Sequence, residues 1–245
     1  MSPTDSYGKH EVVHTASIIV DMISDHILDH GAVEVNPKWK ALADAAFEAA
    51  WKLYQTVAAD TMGDSTHRLK EIIKEKSFRK GEFTLASGKT SNYFFDLKPT
   101  MMNPEGINLI ADVVLDKLKD LDNVVVAAIG GMATGAIPIV AVVSAKTFEQ
   151  GELLPAFFVR KVAKDHGTEN QIEGELTPGA VVVLVEDVTT TGGSVFEAVK
   201  AVRAIGCEVA HVITVIDRLE GARDYLKEED IELHSIFVRT DFDDD

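Results

Sequence analysis

The most informative change of pattern along the chain lies between residues 180 and 205. Val181 to Val185 are apolar without interruption, as expected of a strand covered on both faces of a parallel sheet. Glu186 and Asp187 follow, then Thr189-Thr190-Thr191-Gly192-Gly193-Ser194. After that turn, Val195, Ala198, Val199, Val202 and Ile205 recur at the spacing of one helical face. Similar apolar runs at Val124–Ile129, Phe157–Arg160, 208–217 and 232–238 predict further strands. Helical patterns separate them: one capped by Asn103-Pro104 and running to about 119, one containing Ile137-Pro138, and one at about 221–229. Strands alternating with helices predict an α/β domain whose central parallel sheet is flanked by helices. Residues 83–96 differ, because Ser87-Gly88 sits between two short apolar segments and reads as a hairpin turn.

The N-terminal third follows a helical period. Val13, Ala16, Ile19 or Val20, Ile23 and Ile27 mark an amphipathic helix over 10–30, closed by Gly31. Asn36-Pro37 caps a second helix to about residue 60, with Trp39, Leu42, Ala46, Ala49, Leu53 and Val57 along it. Met62-Gly63-Asp64-Ser65 reads as a linker before a helix at 66–76. The chain is therefore expected to divide into a helical extension, 1–65, and an α/β domain, 66–245. His10-Glu11-Val12-Val13-His14 matches the H-E-x-x-H zinc pattern. Only nine residues precede it, too few for a substrate-binding strand, and Gly31 separates it from Glu34. A solvated helix face is the expected reading, for this motif and for His26 and His30, which repeat the spacing.

Composition narrows the picture. The net charge is −16, which argues against a nucleic-acid surface. No apolar run approaches the roughly 20 residues of a membrane span, and Met-Ser-Pro-Thr-Asp-Ser lacks the basic and apolar regions of a signal peptide. One cysteine, Cys207, rules out an intrachain disulfide and suits a reducing, cytoplasmic setting. In so acidic a chain a basic cluster is informative. Arg160, Lys161 and Lys164, with His166, form one in a polar segment bearing Gly167 and Gly174, the composition of a mobile loop.

The chemistry of 180–194 follows from its order. Ligands of open parallel sheets bind at the carboxyl ends of the strands. The glycines let several N–H groups converge on one anion, and the helix that follows adds its positive end. Hydroxyls supply more donors. The two carboxylates would repel a phosphate, so they must face hydroxyls or a divalent cation. A ribose 5-phosphate satisfies both halves.

This stretch resembles the phosphoribosyl pyrophosphate (PRPP) signature of the type I phosphoribosyltransferases, an apolar strand and then Glu/Asp-Asp-x-x-Thr-x-Gly-x-Ser/Thr. Two other segments resemble the orotate phosphoribosyltransferases within that family. One is Phe83-x-Leu85-x-Ser87-Gly88-x-x-Ser91-x-Tyr93-Phe94-Phe95, the orotate-specific hood; the other is Arg160-Lys161-x-x-Lys164-Asp165-His166-Gly167, the catalytic loop. The resemblance implies a type I phosphoribosyltransferase fold with a small N-terminal hood, converting orotate and PRPP to orotidine 5′-monophosphate and pyrophosphate. It implies that Glu186 and Asp187 hold the ribose hydroxyls, that Thr190, Thr191, Gly192, Gly193 and Ser194 hold the 5-phosphate, and that Thr189 also lies on PRPP. Gly131, in the Gly130–Gly135 turn, belongs by the same likeness to the pyrophosphate loop. Magnesium would bridge pyrophosphate and ribose, reaching Asp187 mainly through substrate and water. Arg160, Lys161, Lys164 and His166 would neutralise the leaving group, Lys164 most strongly, in the neighbouring subunit of a homodimer. Phe94 and Phe95 would flank the base, with Lys89, Thr190 and Arg218 also on orotate and Arg218 on its carboxylate.

The chain departs from the family pattern at Ala86 and Gly135, where lysines are common in relatives. Two alternatives use the same signature. A phosphoribosyltransferase for another base would not need Arg218, and a non-catalytic PRPP sensor would not need the cations of the loop.

Overall fold

The computed structural model describes residues 6–84, 90–121, 125–161 and 171–243. The chain divides into two compact units, Met1–Arg68 and Leu69–Asp245. In the first, α1 (Ser6–Ile23) widens into a π-helical turn at Ser24–Leu28, and a short α2 (Gly31–Glu34) precedes α3 (Pro37–Lys76). Two expectations change here. Gly31 opens a helix instead of closing one: the His30 ring accepts a hydrogen bond from the Ala32 N–H (3.2 Å) and caps α2. The expected linker at 62–65 is helical, because the roughly 1 kcal/mol that glycine costs in a helix is small beside the helix formers around it. The Asn36 cap holds as expected, its Oδ1 accepting from Lys38 and Trp39. The His10 side chain of the H-E-x-x-H pattern lies outside the described residues.

In the second unit, β1 (Phe78–Thr84) and β2 (Thr90–Phe95) form an antiparallel hairpin whose tip, 85–89, is outside the described residues. Next come α4 (Lys98–Met101), α5 (Pro104–Lys119), β3 (Ala128–Gly130), α6 (Ala136–Glu149), β4 (Phe158–Val159) and β5 (Ile172–Glu173). The chain continues through β6 (Val181–Thr189), α7 (Gly193–Ala204), β7 (Glu208–Asp217), α8 (Ala222–Lys227) and β8 (Glu232–Val238), ending in a 3₁₀ turn, Arg239–Phe242. Asn103 caps α5 by accepting from the Gly106 N–H at 2.9 Å. Strands β3 and β4 are shorter than their apolar runs.

The main sheet is parallel, in the order β3-β6-β7-β8, and β4 touches β3 through parallel bridges at Ile129–Ala156 and Met132–Val159. The unbroken run in β6 feeds two cores, as side chains alternate across a strand. Val183 and Val185 join Leu69, Ile73, Phe95, Ile110, Ile139, Ile213 and Phe242 on one face. Val182 and Leu184 join Val195, Val199, Val202, Val212 and Phe157 on the other. Pairing in β6–β7 runs from Val181–Glu208 to Thr189–Asp217. That register brings the acidic pair, the Thr/Gly turn and Arg218 to one edge of the sheet. Among the described residues, no helix is long and apolar enough to cross a membrane.

Candidate active site

Glu186 and Asp187 close the buried part of β6. Glu186 is only 8% exposed, and its Oε2 has no hydrogen-bond partner among the described residues. Burial pushes its carboxyl well above the ordinary value, and the neighbouring Asp187, by charge and by a shared hydrogen bond, pushes it further; Lys161 acts in the opposite sense. Asp187 accepts from the Val188 N–H at 2.9 Å. Its carboxylate lies against Gly135, where an added Cβ would stand 2.5 Å from Oδ1. Gly131 is equally tight, since a Cβ there would meet the Val185 carbonyl oxygen at 2.2 Å. The glycine-rich turn thus lies directly on the end of β6, beside the carboxylates.

The phosphate turn separates into two parts. Thr189 is buried and donates its hydroxyl to Thr214 at 2.9 Å, which makes it a strut between β6 and β7 and corrects its expected place on PRPP. Thr190 is half-buried, while Thr191, Gly193 and Ser194 are exposed. Gly192 turns the chain at φ +85°, a conformation that favours glycine. Its carbonyl accepts from the Phe196 N–H as α7 begins. The N–H groups before Phe196 open the helix and have no intrahelical acceptor, so they point at the space that an anion would fill.

On the base side, Arg218 is 6% exposed and lies 4.9 Å from the Tyr93 ring centre. It pairs with Glu220 at 2.8 Å and donates to Ser91 at 3.4 Å, while its Nε has no partner among the described residues. A cavity of about 560 Å³ is lined by Ser91, Asn92, Tyr93, Thr191, Arg218 and Arg239. The two phenylalanines part company. Phe95 is buried among Phe78, Tyr93 and Phe242, whereas Phe94 is 39% exposed and lies tilted against Phe83, ring centres 5.5 Å apart. Adjacent strand residues face opposite ways, so the expectation that both rings flank one base is corrected: Phe95 is a core residue.

The basic segment is described in part. The Arg160 Nε and Nη2 both reach Glu173 Oε1 at 2.9 Å, and Arg160 exchanges further hydrogen bonds with Gln171. Arg160 is therefore tied into the β4–β5 pair. Lys161 shares a cavity of about 350 Å³ with Met132, Gly193 and Ser194, at the opening of α7. Lys164, His166 and Lys89 lie outside the described residues, as does Ala86.

A family model, the phosphoribosyl transferase domain, matches residues 102–238. The orotate phosphoribosyltransferase of Bradyrhizobium diazoefficiens is 45% identical over 182 residues, 73% of this chain and 96% of that protein. That of Methanocaldococcus jannaschii is 45% identical over 171 residues, 69% of this chain and 92% of the relative. The chain belongs to the orotate phosphoribosyltransferase family. Its fold is similar to the crystal structure of Mycobacterium tuberculosis orotate phosphoribosyltransferase in complex with Fe(III) dicitrate (TM-score 0.64, 33% identity), covering 73% of this chain and 99% of the other.

The fold also brings residues to the site that a reading of the sequence misses. Lys98 pairs with Asp96 at 2.9 Å and senses the charge of Asp187, with its own affinity for a proton raised chiefly by the Asp96 bond. Tyr93 is placed between two cations, Arg218 and Arg239, the latter 5.4 Å from its ring centre. A lysine three residues beyond an aromatic strand was a usable signal for Lys98. For Arg239 there was none, since it arrives from β8 only through the fold.

Proposed function

We propose that the chain transfers the 5-phosphoribosyl group from PRPP to orotate, giving orotidine 5′-monophosphate and pyrophosphate. The observation that carries this reading is the buried Arg218 opening into a cavity that Thr191 of the Thr/Gly turn also lines. A guanidinium so placed suits a planar carboxylate, and orotate is a base that carries one. A ring nitrogen of orotate attacks ribose C1 as the bond to pyrophosphate breaks, and positive charge develops on the ribose. No covalent enzyme intermediate is needed, so positioning and charge stabilisation carry the rate. Glu186 and Asp187 accept hydrogen bonds from the ribose hydroxyls. Thr190, Thr191, Ser194 and the N–H groups of the turn hold the 5-phosphate, while Gly131 and its neighbours meet the pyrophosphate.

The partnerless Glu186 Oε2 and the Asp187 carboxylate beside it fit hydroxyls or the water shell of a hard dication. Magnesium, when bound, would offset the charge that gathers on the departing pyrophosphate. Lys161, at the mouth of α7, adds positive charge on the same side, and Lys164 and His166 are assigned to the same task. Closure of the 160–174 segment over PRPP would also exclude water from C1.

We propose further that the enzyme is a cytoplasmic homodimer in which this segment serves the neighbouring subunit. Mixing Lys164→Gln with Asp187→Asn, each inactive alone, should restore about a quarter of wild-type activity after subunit exchange, because half of the dimers then hold one intact site. No recovery would place the segment in its own subunit's site. The reaction itself is tested with PRPP, magnesium and a panel of bases, following the loss of orotate absorbance. Turnover of a purine with orotate untouched would reject the proposed substrate.

A further inference from the structure

A second cluster of ligating side chains lies at the opposite end of the sheet. Strands β7 and β8 pair with His211 opposite Glu232 and Ile213 opposite His234. Strand alternation places Glu232 and His234 on one face, next to His211. His211 Nδ1 is 3.1 Å from His234 Nε2. Glu232 Oε2 stands 3.9 Å from the first ring and 3.8 Å from the second. All three side chains can bring one donor atom within 4.8 Å of the others. Ligands about 2.1 Å from a tetrahedral zinc ion are separated by roughly 3.3 Å. The two nitrogens already have that spacing. The carboxylate needs to move by about half an ångström, and at 66% exposure it is free to do so.

We propose that His211, Glu232 and His234 form a binding site for a zinc-class divalent ion, with water as the fourth ligand. The rings are held in place by burial, their side chains being 17% and 21% exposed. Burial lowers the proton affinity of His234; His211, Lys117 and Arg223 lower it further, and Glu232 alone opposes them. With two imidazoles, one carboxylate and two nearby cations, the site offers little to magnesium or calcium and suits zinc, nickel or copper. It is also remote from the transfer chemistry. His211 precedes Asp217 by six positions, about 20 Å along an extended strand. A cavity of about 600 Å³, lined by His211, Glu232, Arg223 and Asp230 among others, gives an ion a route in. Bound there, it would clip the edge strand β8 to β7.

The test uses the full chain, freed of metal by chelation and kept in excess magnesium so that the acidic pair is occupied. Zinc is titrated by competition calorimetry, and cobalt serves as the visible-absorption probe. One zinc per chain is expected, with micromolar or tighter affinity. The double variant His211→Gln/His234→Gln should bind about a hundredfold more weakly and lose the tetrahedral cobalt band, and Glu232→Gln should bind about tenfold more weakly. A His10→Gln/His14→Gln control should bind like the parent, and orotate turnover should be unchanged in all of them. If the double variant fails to fold, Glu232→Gln decides, because its side chain is exposed. Zinc affinity unmoved by these substitutions, or absent at 100-fold excess over the protein, would overturn the proposal and leave a hydrogen-bonded histidine pair.

Discussion

The two halves of the candidate active site are built in different ways. The phosphate half is local: strand, acidic pair, turn and helix are contiguous over 181–204, and much of the expected ligand contact comes from backbone N–H groups and glycines. The base half is assembled from residues 91–93 of the hairpin, Thr191, Arg218 beyond β7 and Arg239 beyond β8. A local site can be read from spacing alone. An assembled one depends on which side of each element faces the cavity. The Phe94–Phe95 pair shows this most clearly, because one ring is core and the other is half open.

The comparison can be broken at several points. Phe95→Ala should cost about 3–5 kcal/mol of stability, as expected for a buried aromatic truncated to alanine. Denaturant unfolding measures this, and a loss confined to orotate KM would return Phe95 to the base. Arg218→Ala should lower kcat/KM for orotate by about 2–4 kcal/mol, roughly 30- to 1,000-fold, while PRPP binding by calorimetry stays near wild type. An equal loss of PRPP affinity would show that the two halves are not separable.

Glu186→Gln should act on the phosphate half in two directions. The native carboxyl holds its proton more tightly than the unfolded chain does, because it is buried beside Asp187. Its contribution is therefore fully present below the ordinary carboxylate value of 4.5, and is lost as pH rises through the raised value. The glutamine variant should thus be more stable than wild type at pH 8, with the gap closing towards pH 4. It should also bind PRPP less well. Thermal melts of both proteins across that range check the sign, and a variant that loses stability relative to wild type as pH rises would refute it. The smallest effect is expected for Phe94→Ala, under about 1 kcal/mol in stability because the ring is partly exposed. Its orotate KM then reports whether Phe94 touches the base.

The same contrast runs through the rest of the chain. The β6 run was readable as a doubly covered strand because no polar residue interrupts it, and the cores on both its faces bear that out. The Asn36 and Asn103 caps were readable because a cap is decided within four residues. The 62–65 linker was misjudged because local glycine signals ignore the cooperativity of a long helix. Thr189 was misjudged because its hydroxyl is claimed by Thr214, on a neighbouring strand. The sequence places Arg160 in a basic cluster, and its ion pair with Glu173 arrives only through the β4–β5 pairing.

By itself, then, the order of residues determined the α/β class, the glycine-rich turn after β6 and the acidic pair, since each rests on near neighbours and on backbone geometry. Only the tertiary structure decided which aromatic is core, which threonine is a strut, what surrounds Arg218, and that His211 meets Glu232 and His234. Those outcomes depend on strand register and on side-chain direction across distant segments, and no local pattern of polarity encodes either.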